Sequence, residues 1–118
     1  MSPPIVRASG VFDENAASSL RAAANKAAEE HLGIIVDIRL VEEMTVLGRA
    51  GLRDLQNWMN QQGHRTAYLT RSPRIRGAVL MAIHGHASAK ACHTEAQAEG
   101  WLGMSEGRAQ HDIAGANG

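Results

Sequence analysis

The 118-residue chain is poor in cysteine, proline and aromatic side chains, and neither charge sign is in surplus. One cysteine, Cys92, cannot close an intramolecular disulfide and fits a reducing compartment, so a cytoplasmic protein is expected. Phe12, Trp58, Tyr68 and Trp101 are the only aromatics, and 12 basic residues balance 12 acidic ones. A nucleic-acid binder would show a basic excess and stacking platforms, so no nucleic-acid partner is expected. No apolar run approaches the roughly 18 residues a membrane span needs. Met1-Ser2-Pro3-Pro4 lacks a basic n-region leading into an apolar h-region, so neither a membrane segment nor a signal peptide is expected.

What is present suits one globular core: 44% hydrophobic and 20% charged residues, at a length typical of a single domain. Ile5 to Gly10 reads as a first strand, closed by glycine. Asp13 can cap a helix whose Ala16, Leu20, Ala23, Ala24, Ala27 and His31 recur at helical spacing until Gly33. Gly33 to Ile38 is a β-branched run expected to be buried on both faces, as a central parallel strand would be. A loop from Arg39 to Thr45 then leads to a helix marked by Leu47, Leu52, Leu55, Trp58 and Met59, ending at Gly63. Arg65 to Thr70 is the next strand, reached by a right-handed crossover. Ser72-Pro73 opens a third helix with Ile75, Ala78, Val79, Ala82 and Ile83 inward. A short strand near Lys90 to His93 precedes Thr94-Glu95-Ala96-Gln97, a capping box for a last helix that buries Ala98, Trp101 and Leu102. The expected architecture is α/β: a single-layer mixed sheet of four to five strands, parallel at its centre, with four helices. Residues 1–103 form the domain, and 104–118, rich in small and polar residues, read as a disordered tail.

The stretch from Ile34 through Asp37-Ile38 to Thr45-Val46-Leu47-Gly48 and Leu52 resembles the signature of STAS domains, in which a buried strand is followed by a loop and an Asp-Ser-Ser-Gly-Leu helix start. Ala67-Tyr68-Leu69, then Ser72 to Gly77, and the closing helix from Thr94 to Leu102 resemble the SpoIIAA-like branch, related to the lipid-carrying Sec14 fold. The likeness covers residues 5–102. It implies a regulatory domain that binds a protein partner, with no cofactor and no enzyme activity. Placing Gly48 on the motif glycine puts Leu47 on the serine that is phosphorylated in the switching members, Val46 on the other serine and Thr45 on the aspartate. The serine phosphoswitch is therefore expected to be missing. Thr45 is the one nearby hydroxyl; a phosphate there would sit near a helix amino terminus, which tolerates negative charge.

Three constellations remain. In parallel sheets, ligands bind beyond the carboxyl ends of the strands, where Asp37, Arg39, Glu42, Glu43 and Thr45 from one loop would meet Thr70, Arg71, Ser72, Arg74 and Arg76 from the next. Arg71, Ser72, Arg74 and Arg76 are the candidate anion site. Against this, exposed arginines often pair with carboxylates or water, at about 0 to 1 kcal/mol per pair. His84, His86, Cys92 and His93 are weak metal candidates; their spacing matches no structural zinc pattern, and no metal is expected. Glu42-Glu43 and Cys92-His93 suggest no catalytic pair, because adjacent carboxylates in a loop face water and neighbours on a strand point apart. The partner-binding surface is expected on the second helix, at Thr45, Arg49, Arg53, Asp54 and Asn57, with Gln56 and Asn60 on the same exposed face. A lipid or small-ligand binder, suggested by the Sec14-like branch and the alanine-rich first helix, is the alternative. An exposed edge strand near Ile5 can pair two copies as a homodimer.

Overall fold

The computed structural model describes residues 3–103, so the expectation of a disordered tail over 104–118 lies outside the described residues. Strand and helix alternate along the chain: β1 (Ile5–Phe12), α1 (Glu14–Ala28), β2 (Gly33–Met44), α2 (Val46–Gln61), β3 (Arg65–Leu69), α3 (Pro73–Ala82), β4 (Ala89–Cys92). A last helix, α4, occupies 95–103. Each helix start has a side-chain cap for its free amide donors. Asp13 accepts from Ala16, Thr45 from Gly48, and Ser72 from Arg74 and Ile75. At α4, the Thr94 hydroxyl accepts from the Gln97 amide while the Gln97 side chain accepts from the His93 and Thr94 amides, the capping box read from sequence.

The strands pair in the order β1-β2-β3-β4, and every pairing is parallel. The expected strand number holds and the mixed character of the sheet is corrected: among the described residues there are four strands, all parallel, joined by helical crossovers with no hairpin. Parallel strands need such crossovers, which three interposed helices supply. α1, α2 and α3 share one core cluster and so lie on one face, as a sequential parallel order with right-handed crossovers requires. There Leu20, Ala24, Leu52, Leu55, Met59, Ile75 and Val79 pack onto Ile34, Val36, Ile38 and Tyr68. Ala24 is fully buried, so the alanine-rich face of α1 serves close approach to the sheet. On the opposite face Ile35, Ala67, Leu69 and Cys92 meet Ala98 and Leu102 of α4. Arg65 stacks over Trp101, 4.9 Å from the ring centroid, which helps hold that helix.

Two elements run longer than the sequence pattern suggests. The expected loop from Arg39 to Thr45 is strand as far as Met44, and β1 continues past Gly10 to Phe12. The two extensions pair with each other beyond the end of β3. Their register shifts twice, between Arg7 and Ser9 and again between Gly10 and Val11, each time because β2 supplies one residue more than β1. Such bulges bend the strand that carries the extra residue. Gly10, at φ +72°, takes a left-handed conformation at the second shift, which glycine adopts without the cost a Cβ brings. The strand therefore continues through the glycine rather than ending at it.

Candidate functional site

Two regions gather exposed side chains of unlike chemistry. The first is the amino-terminal turn of α2, where Val46 is 74% and Leu47 57% exposed. The turn cannot shift inward to bury them. A Cβ on Gly48 would lie 2.0 Å from the Phe12 carbonyl oxygen, so only glycine allows α2 to start this close to β1. Thr45 is half-buried: its hydroxyl accepts the Gly48 amide at 3.0 Å and faces the Phe12 carbonyl at 3.4 Å. Grooves flank the turn on both sides. One of about 450 Å³ is lined by Asp13, Glu14, Asn15, Thr45, Val46 and Leu47. The other, about 660 Å³, runs between α2 and α3 past Glu43, Met44, Arg49, Arg74 and Met81.

Along α2, Arg53, Asp54, Asn57 and Asn60 are exposed as expected, and Arg49 is half-buried. Gln56 is not on the exposed face. It is fully buried, and its carbonyl accepts the Tyr68 hydroxyl at 2.7 Å. A buried phenol requires an acceptor, and Gln56 supplies it from the helix packed over β3. Burial pushes the Tyr68 phenol far above its ordinary pKa, so it stays a neutral donor.

The second region lies on the sheet face that α4 covers only in part. Parallel register sets Arg7 of β1 beside Asp37 of β2, which is beside Leu69 of β3. Asp37 is buried, and its carboxylate accepts from Arg39 Nε at 2.9 Å, Arg39 Nη2 at 2.8 Å, the Arg39 backbone amide at 3.1 Å and Arg7 Nε at 3.3 Å. Arg39 Nη2 also reaches Glu95 of α4 at 3.0 Å. The Arg39 guanidinium holds the Asp37 carboxyl below its usual range despite the opposing effect of burial. Arg39, paired with Asp37 and Glu95, is in turn pushed further up and stays cationic. Arg7, Ala8, Ser9, Asp37, Arg39, Leu40 and Arg71 line a groove of about 480 Å³ beside this network.

The four residues expected to share one anion site do not converge. Arg71 faces the groove on the second sheet face and Arg74 the groove between α2 and α3, where Arg74 also donates to the Glu42 carbonyl at 3.1 Å. Arg76 lies near the Thr70 hydroxyl at 3.5 Å. Ser72 has its hydroxyl turned to the first amides of α3, the donors an anion would have used. The sequence does not point to Arg7 or Ser9, because thirty residues separate Arg7 from Asp37 and strand register alone brings them together. His84 and His86 lie between α3 and β4, Cys92 is buried, and His93 is exposed. Among the described residues no three metal-ligating side chains come together. Burial raises the Cys92 thiol above its ordinary pKa, which leaves it protonated and a poor nucleophile.

Structural comparison gives a fold for this arrangement. A SulP transporter STAS domain from Vibrio cholerae superposes with a TM-score of 0.67 at 16% identity, over 88% of this chain and 84% of that one. The fold is the STAS fold. The anti-sigma factor antagonist SpoIIAA, in its unphosphorylated form, matches with a TM-score of 0.59 at 18% identity, over 92% of both chains. No protein-family model and no curated protein matches the sequence. The STAS fold here places Leu47 in the first turn of α2, the position that the sequence resemblance aligned with a phosphorylated serine.

Proposed function

We propose that this chain is a regulatory, non-enzymatic domain of STAS type, working in the cytoplasm and binding a protein partner through the amino-terminal turn and exposed face of α2. The observation that carries the reading is the exposure of Val46 and Leu47 on a turn fixed by Gly48, between two grooves, with Arg49, Arg53, Asp54 and Asn57 beyond. Apolar side chains ringed by polar ones suit a protein interface, where a few buried anchors carry most of the energy. The SpoIIAA match, an anti-sigma factor antagonist, supports partner binding as the role of the domain. No described helix is long and apolar enough to cross a membrane.

Leu47 has no hydroxyl to phosphorylate, so the domain works without the serine switch. Thr45 is the one candidate for modification on this turn, and phosphate there would compete with its cap to Gly48. β1 is an edge strand of the sheet, which supports pairing of two copies there. Sedimentation of the purified chain distinguishes monomer from dimer.

The test is a partner identified by co-purification and then titrated as a purified protein. Leu47→Asp and Arg53→Glu are expected to weaken binding at least about tenfold, which corresponds to roughly 1.4 kcal/mol. Circular dichroism and melting temperature should stay those of the parent. Unchanged affinity in both variants would remove α2 from the interface and overturn the reading.

A further inference from the structure

The groove on the second sheet face has features that partner binding at α2 does not use. Its lining includes three arginines, Arg7, Arg39 and Arg71, against one carboxylate, Asp37, with Glu95 touching Arg39 from α4. Asp37 is 6% exposed and binds both Nε and Nη2 of Arg39, so it fixes the plane of that guanidinium. Among the described residues, no hydrogen bond occupies Nη1 of Arg39, the terminal nitrogens of Arg7, any nitrogen of Arg71, or the Ser9 hydroxyl. Leu40 adds an apolar wall that is 60% exposed and contributes to neither core cluster. Asp37 and Glu95 offset much of the local positive charge, so an anion would be held by the uncommitted donors more than by net field. A phosphate monoester offers three terminal oxygens and about 1.5 to 2 negative charges near pH 7, which suits a groove lined by three arginines, two of them bound to the same carboxylate. The volume of about 480 Å³ exceeds what a bare phosphate fills and lies in the range of small-molecule sites.

We propose that this groove binds a small organic phosphate monoester, its phosphate held among Arg7, Arg39 and Arg71 and its apolar body resting on Leu40. The site shares no lining residue with the two grooves beside the α2 turn and stands independently of the partner-binding role. The experiment titrates the full chain, followed by amide NMR shifts, with phenyl phosphate, inorganic phosphate and succinate. Phenyl phosphate should saturate with shifts at Arg7, Ser9, Arg39, Leu40 and Arg71. It should bind about tenfold tighter than inorganic phosphate, the difference expected from covering Leu40. Arg71→Gln and Arg7→Gln should each weaken it about tenfold or more, with Lys26→Gln, a change in the last turn of α1, as the unaffected control. The melting temperature of Arg71→Gln should match that of the parent. Vesicles of phosphatidylcholine containing phosphatidate form a second arm. Co-sedimentation lost in Arg71→Gln makes a lipid headgroup the source of the phosphate, and phenyl phosphate binding without co-sedimentation makes it a soluble metabolite. Absence of saturation at about 10 mM, unchanged affinity in Arg71→Gln, or succinate binding as tightly as phenyl phosphate would overturn the proposal.

Discussion

The two faces of the sheet are built from the same strands and solve different problems. Among the described residues, one face carries three helices and seventeen buried core residues; the other has a single helix over six, and beside it a charged groove. Alternation along a strand makes the contrast possible, since Ile34, Val36 and Ile38 point one way and Ile35 and Asp37 the other. A sheet already stabilised from one side can leave part of its second side uncovered. Polar chemistry accumulates where the covering stops.

If the helix-covered face carries the stability, the largest loss should come from Leu52→Ala, which empties a fully buried position at the centre of α2. Denaturant unfolding should show about 2 to 5 kcal/mol lost. Leu102→Ala, on the thinly covered face, should fall at the lower end of that range or below, and equal losses would erase the contrast. Next in size is Gly48→Ala, whose methyl would meet backbone at Phe12 and Asp13 rather than a side chain able to move aside. Pushing α2 away from β1 should cost about 1 to 3 kcal/mol in the same measurement. A cost near zero would mean that the turn presenting Leu47 is not fixed by this contact.

Much of the helix-covered face was legible in the sequence because it follows period and capping. Asp13 and Ser72 precede periodic apolar residues and do cap, and Gly33 to Ile38 is buried throughout, whereas the cap at Thr45 does not stand out from what reads as a loop. The β1–β2 extension was not legible. Glu42-Glu43 reads as a loop, and two bulges break the alternation that would have marked strand, leaving Val41 buried between exposed neighbours. Gly10 misleads in the same way, since a glycine at a bulge looks like a strand end. Gln56 was misplaced because its helical position says polar and outward, and only the Tyr68 hydroxyl across the core explains its burial. As for the candidate sites, the α2 turn follows from one contiguous stretch. The groove depends on register between distant strands, and of its three arginines only Arg71 reads from the sequence as an anion ligand.

The groove network should show itself in acid. The carboxyl of Asp37 titrates lower in the folded chain than in the unfolded one, so its pairing stabilises the fold fully above the unfolded value. That contribution is lost as pH falls from about 4 through the depressed folded value. Urea midpoints measured on that descent should fall more steeply for the parent chain than for Asp37→Asn, which has no such proton to take up. Parallel slopes would mean that the carboxylate is not held by Arg39 and Arg7 in solution.

The smallest effect should come from the ion pair between Arg39 and Glu95, 27% and 41% exposed at the side chain. Pairs this open to water contribute about 0 to 1 kcal/mol, because solvent screens the attraction and ordering two long side chains costs entropy. Glu95→Gln is therefore expected to move the urea midpoint only slightly, and less still in high salt, where the pair is already screened. It sharpens the contrast between the faces because it touches the one polar contact that, among the described residues, ties α4 to the groove. A loss above about 2 kcal/mol would show that α4 is held by charge as much as by Ala98 and Leu102. In that event the second face would owe its stability to the same guanidinium that lines its groove, and any ligand drawing on Arg39 would loosen the helix beside it.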